Sequence, residues 1–534
     1  MNQPINLSCS AAAAALGPLD HYWSRVIGAE RCYAALRTDW IEQLRWTHQE
    51  LGVKYARVYG AFAREMFTYQ EHDGIVDPSF QYVDLAFDAI LGAGVKPFVT
   101  LAFMAPDLAT SADNPSDVWF GIGSTPPADT AKWAALVSAT IRHWIDRYGA
   151  EEVRTWLFEV WNEPNLDAFW VGTRQEYFEF YAATAAAVKA VDPALRVGGP
   201  TTINFVPDAR FAGETEDTSV HLRSEDLADL TSWDWRPVWV EEFLDYCAAR
   251  DLPVDFVSTH PYPTDWALDS HGTGAFQSRE VGALNKDLNR LRDTVARSAY
   301  PDAELHLSEW SSSAGYRDHT HDYPQAATYV VKSYLENLGL ANSVAYWTFS
   351  DIFEQGGAGD APLHGGFGLI TRWGNPKPTY RAFEMLNGLG DELLARTTGA
   401  VVSREAGTGK VSAVVYHYPD EVARTVPPSM DAAGVGRSIA EATLAQGTER
   451  DLSLAIDGLS PSSRFAVTSI DAVAGNIVAA WQAMGSPLNL SRLQSEALTE
   501  ASRPRQEFVQ ADAQGSLRLE RRLSPWTVLA LRQL

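Results

Sequence analysis

Residues 155–170 read TWLFEVWNEPNLDAFW. An apolar run (Trp156, Leu157, Phe158, Val160) is interrupted only by Glu159. It turns polar at Asn162-Glu163 and is closed by Pro164. A strand-length run that stays apolar until its C-terminal end marks a parallel strand covered on both faces. Proline ends such a ladder because it has no N–H to give and fixes the turn. Seven other runs share the β-rich build: WSRVIG (23–28), YARVYG (55–60), KPFVTLAF (96–103), RVGGPT (196–201), DFVSTHPY (255–262), ELHLSEWS (304–311) and SVAYWTFS (343–350). Helical patterns follow them. In 131–148, Trp133, Val137, Ile141, Trp144, Ile145 and Tyr148 form one stripe, and in 284–295 so do Leu284, Leu288, Leu291 and Val295. Eight β/α units within residues 20–392 predict a (β/α)8 TIM barrel.

Beyond residue 392 the texture changes. VSAVVYHY (411–418), DLSLAID (451–457), RFAVTSID (464–471), SLRLERRL (516–523) and WTVLALRQL (526–534) are strand-like, with short helices near 475–483 and 491–502. Residues 393–534 are therefore expected to form a β-sandwich-like accessory domain. Residues 1–19, through the run PINLS, are expected to add a strand to it. The acidic segment 208–236 reads as a long βα loop at the barrel mouth.

The bulk properties narrow the class. Apolar and charged fractions of 46% and 21% over 534 residues are those of a soluble globular protein. A net charge of −25 opposes nucleic acid or an anionic membrane as partner. Three cysteines at long spacings indicate neither a disulfide framework nor a zinc site. No apolar run is long enough for a membrane span. The first residues, MNQPINLSCSAAAAALGPLD, lack a positive n-region, so a cytoplasmic enzyme is expected. The 18 Trp and 20 Tyr suit sugar-stacking surfaces as well as ordinary cores.

In a (β/α)8 barrel the C-terminal ends of the strands carry the active site. Arg57, Tyr59, Asn162, Glu163, His260, Tyr262, Glu309 and Trp347 all fall there. Side chains alternate along a strand, so 159, 161 and 163 are expected on one side, with Glu159 deeper as a partnered structural carboxylate. Glu163 and Glu309 lie 309 − 163 = 146 residues apart, about three β/α units, hence on facing walls of the mouth. Two carboxyls across an aromatic cleft suggest glycoside hydrolysis, one as acid and the other as nucleophile or base. His319, His321 and Asp322 in HTHDYP lack an evident third ligand, so they read as a solvated loop rather than a metal site. No Gly-rich phosphate loop is present and no cofactor is expected.

WNEPN with a strand-seven SEW resembles the clan A glycoside hydrolase barrels. FEVWNEPNLDAFW, DFVSTHPYPTD, AYWTFSDIFEQ and PLHGGFGLITRWGNPKPTY, with AWQAMGSP (480–487) and LRTDWIEQL (36–44), resemble glycoside hydrolase family 39, in its β-xylosidase branch more than its iduronidase branch. That resemblance implies Glu163 as general acid/base and Glu309 as the nucleophile of a retaining mechanism. It implies Arg57 and Tyr262 as supports of Glu309, and Asn162 as a ligand of the sugar 2-hydroxyl. His260 would help hold this region, Trp347 would be a platform for the sugar ring, and Glu354 would bind distal hydroxyls. Two positions depart from the xylosidase pattern. Tyr59 stands where histidine is usual, and Glu354-Gln355 replaces two acids. Both concern sugar recognition. The expected function is exo-acting β-D-xyloside hydrolysis on short xylo-oligosaccharides. The alternatives are the same chemistry on another sugar (a β-glucosidase, an arabinosidase or an exopolysaccharide hydrolase) and a non-catalytic carbohydrate-binding protein.

Overall fold

The computed structural model describes residues 3–111, 122–166, 168–203, 237–268, 274–355, 359–422 and 436–534. The segment 208–236, read as a mouth loop, lies outside the described residues.

Eight strands close into one barrel: β1 (Val26–Arg31), β2 (Tyr55–Tyr59), β3 (Lys96–Leu101), β4 (Leu157–Val160), β5 (Arg196–Ile203), β6 (Phe256–His260), β7 (Glu304–Trp310) and β8 (Ser343–Tyr346). Every neighbouring pair is parallel, and chain order is ring order, with β8 closing on β1 through Tyr346 and Ile27. This is the (β/α)8 barrel expected from the eight runs. Val26, Phe98, Leu157, Phe256 and Ala345 pack together at the N-terminal end of the ring. That apolar plug leaves the C-terminal end for polar side chains. Outside, the helix Thr130–Tyr148 starts where the Asp129 side chain accepts from the Ala131 and Lys132 N–H groups. Its stripe of Trp133, Val137, Ile141 and Trp144 is buried against the ring.

The other sheets are antiparallel at all but one pairing. A seven-stranded sheet runs in the order Gly17–Pro18, Glu392–Thr397, Ala400–Arg404, Val411–His417, Thr527–Gln533, Arg464–Ile470, Arg505–Gln510. A three-stranded sheet joins Ile5–Ser10, Arg450–Asp457 and Leu517–Leu523. The N-terminal strand runs parallel to its partner, from Ile5 beside Leu452 to Ser10 beside Asp457. Ile5, Leu394, Val402, Val415, Leu454, Phe465, Leu519 and Leu531 fill the space between the two sheets. Four of these strands were not anticipated, the short Gly17–Pro18 among them. Glu392–Thr397 and Ala400–Arg404 form a hairpin, and Arg505–Gln510 (RQEFVQ) is an exposed edge with no apolar alternation. Among the described residues no helix is long and apolar enough to cross a membrane.

The reading of 319–322 as a solvated loop is corrected. His319–Asp322 is a buried 3-10 helix. Its burial is possible because Lys377 Nζ lies 2.9 Å from Asp322 Oδ1 and 2.7 Å from Asp351 Oδ2, and donates to the Gly366 carbonyl at 2.8 Å. Such buried charges require close partners.

Candidate active site

β4 ends at Val160, earlier than the alternation suggested. Trp161 and Glu163 have left-handed backbone, with φ of 72° and 47°. The chain therefore turns instead of continuing as a strand, and the expected shared side for 159, 161 and 163 fails at Trp161. Its ring packs outward among Phe103, Trp133, Trp170 and Phe180. The turn is over-determined, as strained functional backbone must be. Glu163 N–H donates to Thr201 O at 3.0 Å. Asn165 exchanges two hydrogen bonds with the Ile203 backbone. The Tyr177 hydroxyl lies within bonding distance of the Val160 and Pro200 carbonyls.

At the centre is Arg57, fully buried at the top of β2. Its Nε donates to Glu159 Oε2 (2.8 Å), Nη1 to Glu309 Oε2 (3.0 Å) and Nη2 to Asn162 Oδ1 (2.8 Å). Thr100 also donates to Glu159 Oε2 at 2.8 Å. Glu159 is thus the paired inner carboxylate. Tyr262 OH donates to Glu309 Oε1 at 2.8 Å. His260 Nδ1 is 2.7 Å from Glu163 Oε1, and Nε2 is 3.1 Å from Ser308 Oγ. One ligand atom each from Glu163, His260 and Glu309 lie within 4.8 Å of one another. That spacing could hold a cation, but Arg57 at 3.0 Å from Glu309 opposes a second positive charge there.

Burial in this pocket shifts every titration. It pushes Glu163 well above the usual carboxylate range, and the negative charge of Glu309 adds to the effect. Glu309 is pushed up to about 7 by burial, while Arg57 and the Tyr262 hydroxyl hold it back. Of the two, Glu163 keeps the proton. Burial, then the Arg57 charge, hold His260 well below its usual value, so the imidazole is neutral.

The Trp347 and Tyr59 rings stack, with centroids 5.8 Å apart and planes at 28°. Trp347 also lies over the Arg57 guanidinium, 5.6 Å away. Gly28 makes room for it, since a Cβ there would sit 2.3 Å from Trp347 Cε3. Glu354 and Gln355 are not in this cluster. Glu354 lies at the rim, where Arg31 Nη2 donates to its Oε2 at 2.5 Å, and Gln355 is half-buried beside it. Arg31 also meets Glu65 (3.1 Å) and Glu30 (3.4 Å). Glu30 was missed from sequence. It is buried at the end of β1 with φ 64°, and burial pushes its carboxyl up to about 7. Thr100 and Ser308 were missed too, because short hydroxyl side chains in apolar strands carry no signal of their own. An acidic residue in VIGAER was the one available hint at Glu30.

A parallel (β/α)8 barrel whose mouth pairs two carboxyls around a buried arginine defines a class, the glycosyl hydrolases. The sequence matches Glycosyl hydrolases family 39 over residues 8–222 and 231–518, and the chain belongs to that family. It is 33% identical over 498 residues to a β-xylosidase of Caldicellulosiruptor saccharolyticus, covering 92% of this chain and 91% of that protein. A β-xylosidase of Geobacillus stearothermophilus is 35% identical over 433 residues, covering 78% and 79%. The crystal structure of a monomeric β-xylosidase from Caulobacter crescentus CB15 superposes with a TM-score of 0.82 at 30% identity, covering 100% of this chain and 99% of that one. The protein is a glycosyl hydrolase and its substrates are glycosides.

Proposed function

We propose that the protein is a retaining, exo-acting β-D-xylosidase that releases xylose from short xylo-oligosaccharides. The observation that carries this is the approach of Glu163 and Glu309 oxygens to within 4.8 Å. A retaining pair stands about 5–5.5 Å apart, whereas an inverting pair needs about 6.5–9.5 Å to admit water. Glu309 attacks the anomeric carbon while Glu163 protonates the departing oxygen. Esterification removes the Glu309 charge, and Glu163, still raised by burial, loses the added push of that charge and becomes more acidic. It takes a proton from water, whose oxygen displaces Glu309.

Arg57 and Tyr262 favour the ionised nucleophile. With its Oδ1 held by Arg57, Asn162 offers its NH2 to the sugar 2-hydroxyl. Neutral His260 donates from Nδ1 to one Glu163 oxygen and accepts from Ser308 at Nε2, which leaves the other Glu163 oxygen for substrate. Trp347 and Tyr59 wall the glycone, and Glu354 and Gln355 face its distal hydroxyls. Residues 20–392 form the catalytic unit in this reading, with 1–19 and 393–534 as its accessory. Three free thiols, Cys9, Cys32 and Cys247, suit a reducing cytoplasm.

The test is hydrolysis of nitrophenyl β-D-xyloside by wild type and Glu309→Ala. A loss of about 10⁴-fold or more is expected for a missing nucleophile, and comparable rates would sink the mechanism. A second reading keeps the chemistry on another sugar. Tyr59 stacked on Trp347 and Glu354 bound to Arg31 favour it, because both bear on glycone recognition. A panel of aryl glycosides decides, with a clear preference for another sugar supporting it.

A further inference from the structure

A second cavity of about 680 Å³ opens on the same face of the barrel. It is built from the end of β1 and the loops after β2, β3 and β8, with Arg31, Tyr33, Arg64, Phe67, Tyr69 and Glu354 among its walls. Arg31 is the ladder partner of Tyr59, whose ring stacks on Trp347. The cavity thus lies beside the Tyr59–Trp347 wall of the glycone pocket, with Glu354 at the rim.

The walls have the chemistry of a sugar site. Tyr33 and Phe67 are large aromatics left 42% and 47% exposed. Apolar ring faces of that kind stack on the C–H faces of a pyranose. Beside them Arg64, Glu65 and Gln70 offer planar groups that suit vicinal hydroxyls. The cavity is also pre-formed. Phe67 is fixed in left-handed backbone (φ 55°) as its N–H bonds Arg64 O. The Tyr69 hydroxyl donates to Glu71 at 2.8 Å, Lys132 Nζ lies 2.7 Å from the same carboxylate, and the Glu71 N–H donates to Asp107 at 2.9 Å. A site that needs no ordering on binding retains more of its contact energy.

Its position fixes which sugar it meets. The Glu163 carboxyl is held from β6, its Oε1 2.7 Å from His260 Nδ1, so the leaving group departs on that side. The cavity lies toward β8, β1 and β2, past the distal edge of the glycone. We propose that it is a second sugar subsite on the glycone side. The enzyme then also cleaves one linkage further along the chain, releasing a disaccharide as well as a monosaccharide. The bond broken is again an anomeric C–O bond. The water hydroxyl goes to the disaccharide and its proton to the leaving alcohol.

This inference rests on the glycosidase reading above, and its test separates the two. Nitrophenyl β-xylobioside is given to the wild-type protein and the first products are resolved. Direct release of nitrophenol with intact xylobiose is expected. Phe67→Ala and, separately, Tyr33→Ala should lower the ratio of kcat/KM for direct release from the xylobioside to that for the xyloside by about tenfold, the size of one aromatic contact. Two variants guard against a folding defect in either. If xylose always leaves first and nitrophenol appears only after a lag, or if neither variant moves the ratio, the inference is overturned while the xylosidase reading stands. If nitrophenyl xyloside is not cleaved but the glucoside is, the xylose reading falls, and the same comparison with nitrophenyl cellobioside decides the subsite.

Discussion

In the proposed mechanism the buried Glu163 and Glu309 have opposite requirements, a retained proton on the first and a charge on the second. Burial raises both, and Arg57 with Tyr262 favours the charge on Glu309, so the pair is separated in the useful order. Activity should therefore fall on the acid side as Glu309, at about 7, takes up a proton, and on the alkaline side as Glu163 loses its own. A bell-shaped kcat/KM profile in nitrophenyl glycoside hydrolysis checks this, and its limbs report the pair as a unit. Stability runs with the same shifts. A carboxyl whose folded pKa is raised holds its proton more tightly when folded. Its contribution is present below the unfolded value of 4.5 and declines as pH rises toward the folded value, by about 1.4 kcal/mol per pH unit within that window. Glu163→Gln removes one such group. Its Tm should exceed that of wild type by about 2–4 °C near neutral pH, a gap that closes near about pH 4. Parallel Tm curves would show that burial does not strain this carboxyl.

The loops after β7 and β8 are tied by a single buried cation. Lys377, just before the helix Pro378–Asn387, joins Asp322 of the first loop to Asp351 of the second. Backbone N–H groups of Gly365 and Gly368 bond the same two carboxylates. Lys377→Ala would leave two buried anions facing each other, and we expect a loss of about 3–5 kcal/mol in denaturant unfolding. A change below about 1 kcal/mol would mean that water replaces the ammonium. This element also marks the limit of what the sequence makes legible. The eight barrel strands are readable because parallel strands covered on both faces must be apolar until they reach the mouth. Glu163 and Glu309 are readable because each is a charge at such an end. Lys377 and Asp322 lie far apart in sequence, and nothing local distinguishes a buried charge from a solvated one, so HTHD read as surface. The turn at Trp161 was hidden likewise. Its left-handed backbone is imposed by partners on β5 and on the helix Arg174–Val191, while local alternation predicted a continuing strand.

Across the whole molecule, the space between the two accessory sheets has its own core, but the barrel core continues onto the other face of the seven-stranded sheet. One continuous apolar cluster contains Trp310, Tyr329, Val330 and Phe383 of the barrel layers together with Val401, Val414, Tyr416, Trp526 and Val528 of the seven-stranded sheet. The helix Pro324–Glu336 lies between them. Eleven of its residues are buried, too many for a helix with one wet face. Thr328 Oγ1, midway along it, donates to Trp526 O at 2.7 Å, and Tyr416 OH donates to Glu336 Oε1 at 2.6 Å. The sheet therefore acts as a wall of the barrel instead of a module on a linker, and the chain should unfold in one step. Calorimetry is expected to give a single transition whose van't Hoff and calorimetric enthalpies agree. A fragment of residues 20–392 would expose the outer face of Pro324–Glu336 and is expected to aggregate or to bind hydrophobic dye. Two resolved transitions, or a monomeric and active fragment, would show that the barrel is complete without the sheet.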